Sequence, residues 1–307
     1  MAPLRIPYPE LKTMRDWMRW SASQFAQHQL FFGHGTDNAL DEAIELVLAT
    51  LNLSHEMPES WLDARVTAEE AELLGQRIQQ RIEQRLPLPY VTGRAFFAGL
   101  EFVVNQDVLI PRSPIAEWIE RRFEPWIDPD SVGAILDLCC GSGCIGIACA
   151  HAFPEALVDL ADISPAALEV ARTNIERHHL DDRVRAIQSD VFKGLDGERY
   201  GLIVSNPPYV STAEMGTLPE EYQAEPVLGL EAGEDGLDVV RQILAEAPDY
   251  LTRNGILVVE VGASADFLIA RFPDVPFVWL DFEHGGDGVF LLAADQLQEF
   301  HDVFVEE

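Results

Sequence analysis

Residues 137–150 read DLCCGSGCIGIACA and begin on the last two residues of the apolar run GAILDL, 133–138. Gly141, Gly143 and Gly146 satisfy the spacing G-x-G-x-x-G. Between a strand and a helix, such glycines let a ligand approach the backbone at the strand's carboxyl end, the edge where open parallel sheets bind ligands. The motif alone is weak evidence, so its surroundings decide its meaning.

Outward from it, apolar strand-like runs recur at GAILDL, ALVDLAD, VRAIQSD, GLIVSN, GILVVEV, FVWLDF and GVFLLAA. Helical stretches separate the earlier ones. This alternation predicts an α/β fold with a mostly parallel, seven-stranded sheet flanked by helices. The last two runs are joined only by EHGGD, so one of them runs antiparallel in a closing hairpin.

Three successive strands end in acids: Asp137, Asp162 and Asp190. Asp162 lies nineteen residues beyond Gly143, where a carboxylate accepts the hydroxyls of an adenosine ribose. NAD and S-adenosylmethionine (SAM) both fit this half of a site. SAM has no phosphates and needs less of a helix N-terminus.

The fourth strand chooses between them. It runs into VSNPPYV, residues 204–210, and brings Asn206 to the ligand-binding edge. Pro207 and Pro208 fix two φ angles. A planar NH2 entering this corner donates one hydrogen to the Asn206 side-chain oxygen and one to the Pro207 carbonyl. Tyr209 offers a face on which a planar amide or base stacks. Two rigid acceptors hold the poorly nucleophilic nitrogen in line with a sulfonium methyl and place negative dipoles where positive charge develops. An NAD oxidoreductase leaves this corner without a use, and a catalytically silent binding module leaves the intact glycine turn without one.

DLCCGSGCIGIA, ADISPAALEVARTNI, QSDVF and VSNPPYV together resemble the protein-glutamine N5-methyltransferases. The likeness extends to PYVTGRAFFAGLEFVVNQDVLIPRSPIAEWI upstream and to EPVLGLEAGEDGLDVVRQIL and WLDFEHGGDGVFLL downstream. It implies a Rossmann-like methyltransferase fold with SAM as cofactor. It also implies site roles. Asp137 and the 139–143 turn, with Cys140, Gly141, Ser142 and Gly143, cradle the methionine part of SAM. Asp162 holds the ribose with Ile163 beside it, and Asp190 and Val191 flank the adenine. Asn206 faces both methyl donor and acceptor, and with Pro207, Pro208 and Tyr209 it binds the substrate glutamine. Within the family, the branch acting on release factors usually has an acid and a threonine after LIPR. Ser113-Pro114-Ile115 resembles instead the branch acting on large-subunit ribosomal protein uL3. Cys139 departs from a position where relatives often carry glycine.

The same NPPY corner serves adenine-N6 methyltransferases of DNA or RNA. The net charge of −31 and the lack of a basic run argue against tight binding of naked nucleic acid. That charge suits a basic protein substrate such as uL3 before assembly, or adaptation to a salty cytoplasm. No apolar run approaches membrane-spanning length and no secretory signal opens the chain, so a cytoplasmic protein is expected. Cys139, Cys140, Cys144 and Cys149 lie too close together for a disulfide framework and read as reduced, packed thiols. No metal-ligand pattern is present.

Residues 1–85 show helical periodicity, with Asp37 or Asn38 as a cap and a capping box at TAEE. The family resemblance makes this a substrate-recognition domain. Residues 86–112 read as a β-hairpin linker with a further short strand at VLIP, and 113–307 as the methyltransferase domain. The loop 211–235 carries no clear structural signal.

Overall fold

A computed structural model describes residues 4–195 and 197–305. The chain forms two compact units. One runs to Ala95 and also takes in Pro219–Ala224; the other comprises Phe96–Leu218 and the chain from Glu225 onward.

The first unit is helical. Its helices are α1 (Met14–Gln27), α2 (Ala39–Leu51), α3 (Ala68–Glu83) and the short α4 (Leu88–Thr92). Thr13 with Asp16 and Thr67 with Glu70 form capping boxes at α1 and α3, and Asn38 caps α2. Trp17, Phe25, Leu46, Leu74 and Ile78 fill the core. Beside them lies a buried charge cluster. Arg81 donates to Glu42 Oε1 at 2.6 Å, to the Phe31 carbonyl at 2.7 Å and to Glu221 Oε1 at 3.3 Å. Glu221 comes from the segment Pro219–Ala224, so a piece of the loop that follows NPPY is built into the helical unit.

Between Arg94 and Val103 the chain forms a two-stranded ribbon, β1 (Arg94–Phe97) and β2 (Leu100–Val103). The expected strand at VLIP is absent. Pro111 has no N–H to give a ladder, and Glu225 fixes this stretch instead, accepting from the Ile110 amide at 3.1 Å and from Arg112 Nη1 at 2.9 Å. Helix α5 (Ile115–Glu120) follows.

The second unit is built on β3 (Ala134–Leu138), β4 (Leu157–Asp162), β5 (Val184–Gln188), β6 (Tyr200–Ser205), β7 (Leu251–Glu260), β8 (Val278–Trp279) and β9 (Val289–Ala293). Their order is β5-β4-β3-β6-β7-β9-β8, with β9 antiparallel to both neighbours. Helices α6 (Cys144–Ala152) and α7 (Pro165–Arg177) follow β3 and β4. Both sheet faces are buried. Ile135, Val158, Leu202 and Val258 pack on one side, and Leu136, Ala161, Ile203 and Val259 on the other, which is why the strands read as continuous apolar runs.

This topology positions the site. The chain steps outward from β3 to β4 and β5, then returns to β3's other side with β6. That reversal is the switch point where open sheets bind ligands. Leu138 is level with Ala161 and Ser205, Asp162 with Gln188, and Ser205 with Val259. The five parallel strands therefore end on one edge. The loop 211–235 is more ordered than its sequence suggests, with a helix α8 (Thr212–Met215) boxed by Ser211 and Glu214, and 3-10 turns at Glu220–Ala224 and Val227–Gly229. Helix α9 (Asp238–Glu246) follows it.

Candidate functional site

The turn after β3 needs left-handed backbone three times: at Cys139 (φ 58), Gly141 (φ 52) and Gly143 (φ 77). Cys139 thus occupies a conformation that costs a non-glycine residue about 1 kcal/mol. The glycines do different work. A Cβ on Gly141 would meet nothing within 4 Å, so this residue keeps a space open. A Cβ on Gly146 would lie 2.1 Å from Leu160 Cδ2 and 2.9 Å from Asp137 Cβ, so there the missing side chain lets α6 pack against the sheet. Buried Asn174, on α7, fastens the turn: its Nδ2 donates to the carbonyls of Ser142 at 2.9 Å and Val103 at 3.0 Å.

Two acids support the turn from below and beside it. Asp137 Oδ2 accepts the Gly146 amide at 2.8 Å, while Asp137 Oδ1 is buried with no hydrogen-bond partner among the described residues. Burial, with Asp162 nearby, pushes the Asp137 carboxyl up to about 8, against the lowering effect of the Gly146 amide. Asp162 accepts the amides of Gly141 and Ser164, each at 2.9 Å, one on either oxygen. Burial raises its pKa as well. Ser142 Oγ, in the same turn, is a second buried atom lacking a partner among the described residues. After β5, Ser189 Oγ donates to the Val191 carbonyl at 2.6 Å and accepts from the Gly194 amide at 2.9 Å. This brace holds β-branched Val191 at φ 49, a conformation it rarely adopts. Asp190 beside it pairs with Lys193.

At the end of β6, Asn206 Oδ1 is buried and has no partner among the described residues. Tyr209 is fixed at several points. Its carbonyl accepts from Ser264 Oγ at 2.8 Å, its ring lies against Gly262, and its hydroxyl donates to Glu260 Oε1 at 2.9 Å.

A cavity opens along this edge. Of the residues expected from sequence, it is lined by Gly141, Asp162, Ile163, Asp190, Val191 and Pro208, with Cys139 beside them. Buried Asp137, with Cys140, Ser142, Gly143, Asn206, Pro207 and Tyr209, is outside its lining. Three further groups close it: Asp107–Leu109 from the stretch before LIPR, Pro226, Leu228 and Gly229 from the loop after NPPY, and Val239 and Gln242 from α9.

Sequence reading also passed over Glu260. The pattern that singled out Asp137, Asp162 and Asp190, an acid where an apolar strand ends, applies equally to GILVVEV. The cysteines Cys140, Cys144 and Cys149 pack in the core, and burial pushes the Cys144 thiol up to about 12. Among the described residues no helix is long and apolar enough to cross a membrane.

Residues 125–219 match the family model of the methyltransferase small domain. Two relatives are similar over nearly the whole chain. A ribosomal protein uL3 glutamine methyltransferase of Francisella tularensis is 50% identical over 295 residues, covering 96% of this chain and 94% of its own. One of Xanthomonas campestris is 47% identical over 288 residues, covering 94% and 93%.

Proposed function

Because the chain belongs to the ribosomal protein uL3 glutamine methyltransferases, we propose that its NPPY corner is the seat of the transfer, with Asn206, Pro207 and Tyr209 holding the acceptor amide. The protein transfers a methyl group from S-adenosylmethionine to the side-chain nitrogen of a glutamine in uL3. The observation that carries the site assignment is Asn206 Oδ1, a buried acceptor without a donor at the carboxyl end of β6. A buried carbonyl oxygen left unpaired is costly, and a substrate NH2 supplies the missing hydrogen.

The residues beside the corner fit SAM. Gly141 leaves open space, Asp137 Oδ1 and Ser142 Oγ lack partners among the described residues, and Asp162, held by backbone amides, lines the cavity with acceptor oxygens for a ribose hydroxyl. Asp137 with Cys140, Ser142 and Gly143 holds the methionine end, and Ile163, Asp190 and Val191 hold the adenine end. SAM supplies an electrophilic methyl on a sulfonium. Asn206 Oδ1 and the Pro207 carbonyl accept the two amide hydrogens and so aim the nitrogen. Their dipoles stabilise the positive charge that gathers on it, and Pro207 and Pro208 keep both acceptors from turning away. Tyr209 stacks on the amide plane.

The helical unit engages the protein substrate. It already incorporates Pro219–Ala224, which is continuous in sequence with the NPPY corner. The substrate is free uL3 in the cytoplasm, taken before assembly, and the chain's charge of −31 suits so basic a partner. The test is intact-mass and peptide analysis after incubation with SAM, using purified uL3 in one arm and assembled large ribosomal subunits in the other. One added methyl on a glutamine of free uL3 is expected, and none on assembled subunits. Free uL3 left unmodified by active, SAM-binding protein overturns the proposal.

A further inference from the structure

We propose that Glu260 is a positioning residue of the transfer, anchoring the far end of the Tyr209 ring through its hydroxyl, and that Ser113 in turn holds Glu260. This rests on the reading of NPPY as the acceptor site. Tyr209 follows two prolines, its carbonyl is tied to Ser264 Oγ, and its ring lies so near Gly262 that a Cβ there would stand 2.6 Å from Tyr209 Cε2. These contacts set where the ring is. Its hydroxyl, 2.9 Å from Glu260 Oε1, pins the far end and so sets the direction of the ring's long axis. The other Glu260 oxygen accepts from Ser113 Oγ at 2.5 Å, and Ser113 Oγ accepts the Ile115 amide at 3.2 Å.

Glu260 and Ser113 are 6% and 7% exposed. Each Glu260 oxygen accepts one hydroxyl. Packing a tyrosine against glycine needs no such carboxyl, and burying one is unfavourable unless its hydrogen bonds are worth keeping. What the carboxyl adds is direction at the hydroxyl end of the ring. Ser113 is also the first residue after LIPR. The structure thus links the segment after LIPR to the NPPY corner through one carboxyl, with a separation of 147 residues between Ser113 and Glu260.

The test is steady-state kinetics on uL3, with SAM affinity measured by calorimetry on each variant. Tyr209→Phe and Glu260→Leu should each lower kcat about tenfold or more, as expected for a misplaced reacting group, with SAM affinity within about threefold of wild type. The double variant should be no slower than the worse single one by more than about twofold, since both remove the same bond. Glu260→Gln, which keeps an acceptor for the tyrosine, should recover most of the rate lost in Glu260→Leu. Ser113→Ala should slow wild type and have no effect in the Glu260→Leu background. Full turnover by Glu260→Leu, multiplying losses in the double variant, or SAM affinity falling in parallel with kcat overturns the role of Glu260. Failure of wild-type protein to methylate uL3 overturns the functional reading instead.

Discussion

The Gly146 amide donates to one oxygen of Asp137 at 2.8 Å and leaves the other buried without a partner among the described residues. Burial raises this carboxyl to about 8, so the folded protein holds it protonated at neutral pH. Unfolded aspartate titrates near pH 4. Between those values the folded chain binds one proton more than the unfolded chain, and stability falls as pH rises, by at most about 1.4 kcal/mol per pH unit from this group. Asp162 and Glu260, both raised by burial, act in the same direction. Asp137→Asn should therefore reduce the loss of stability between pH 5 and pH 8 without abolishing it, as read by urea unfolding at each pH. Equal slopes for variant and wild type would contradict the protonated state.

Asn206 and Asp162 stand at the ends of β6 and β4, on opposite sides of β3, and separate the two halves of the site. Asn206→Ala should reduce kcat by about 10²–10³-fold, the scale of losing a transition-state hydrogen-bond partner, with SAM affinity nearly unchanged. Asp162→Ala should weaken SAM by roughly tenfold or more, because the proposed ribose contacts and the Gly141 tether go together. Full turnover by Asn206→Ala would end the amide-holding account.

The two outer glycines of the motif should fail differently. Gly141→Ala meets no atoms but places a methyl group in the open space at φ 52, so it should lower SAM affinity more than stability. Gly146→Ala forces a methyl group between Leu160 and Asp137 and should cost about 1–3 kcal/mol of stability. Calorimetric SAM titration beside thermal unfolding distinguishes them. Similar profiles for both variants would refute the division of labour.

Much of this was legible because local signals carry it. Strands buried on both faces show as apolar runs, a glycine turn shows as spacing, and NPPY shows as two fixed φ angles. Cys139 is a visible irregularity with a backbone cause, since its φ is one that glycine adopts without strain. What escaped was long-range. Ser113 and Glu260 meet only because β7 ends beside the LIPR segment, and Asn174 reaches Val103 and Ser142 from a helix whose pattern already accounts for it. The seating of Glu221 in the helical unit has no local mark either, because an acid in a polar loop looks solvated until its partners are known. VLIP misled for the converse reason: Val108 and Ile110 are buried, but the Ile110 amide goes to Glu225 rather than to a neighbouring strand.

Arg81 is 1% exposed and neutralises Glu42 and Glu221, themselves buried. Arg81→Met would take the shared cation from Glu42 and Glu221, leaving Glu221 to Arg85 and the Phe31 amide and Glu42 to Thr36 Oγ1, and would free the Phe31 carbonyl, a loss of up to about 3–5 kcal/mol. Replacing Glu42 and Glu221 by Leu and Met in the same chain should restore a large part of it, because an apolar cluster of similar volume carries no desolvation penalty. Urea midpoints of the single and triple variants decide the matter. A triple variant no more stable than Arg81→Met would show that shape, not charge, holds this cluster.

The excess of acidic residues makes a kinetic prediction about the substrate. If the charge of −31 steers a basic protein toward the site, encounter is accelerated at low salt and screened within a Debye length of about 10 Å at 0.1 M. For free uL3, kcat/KM should then fall several-fold as salt rises from about 0.05 to 0.5 M, with kcat nearly constant, because attraction between exposed charges acts on association rather than on the aligned amide. A short glutamine peptide of low charge, reacting at the same Asn206, should show a much flatter response. Equal salt slopes for protein and peptide, or a rate that rises with salt, would mean that the acidic surface serves the chain's own solvation in a salty cytoplasm and not the capture of its substrate.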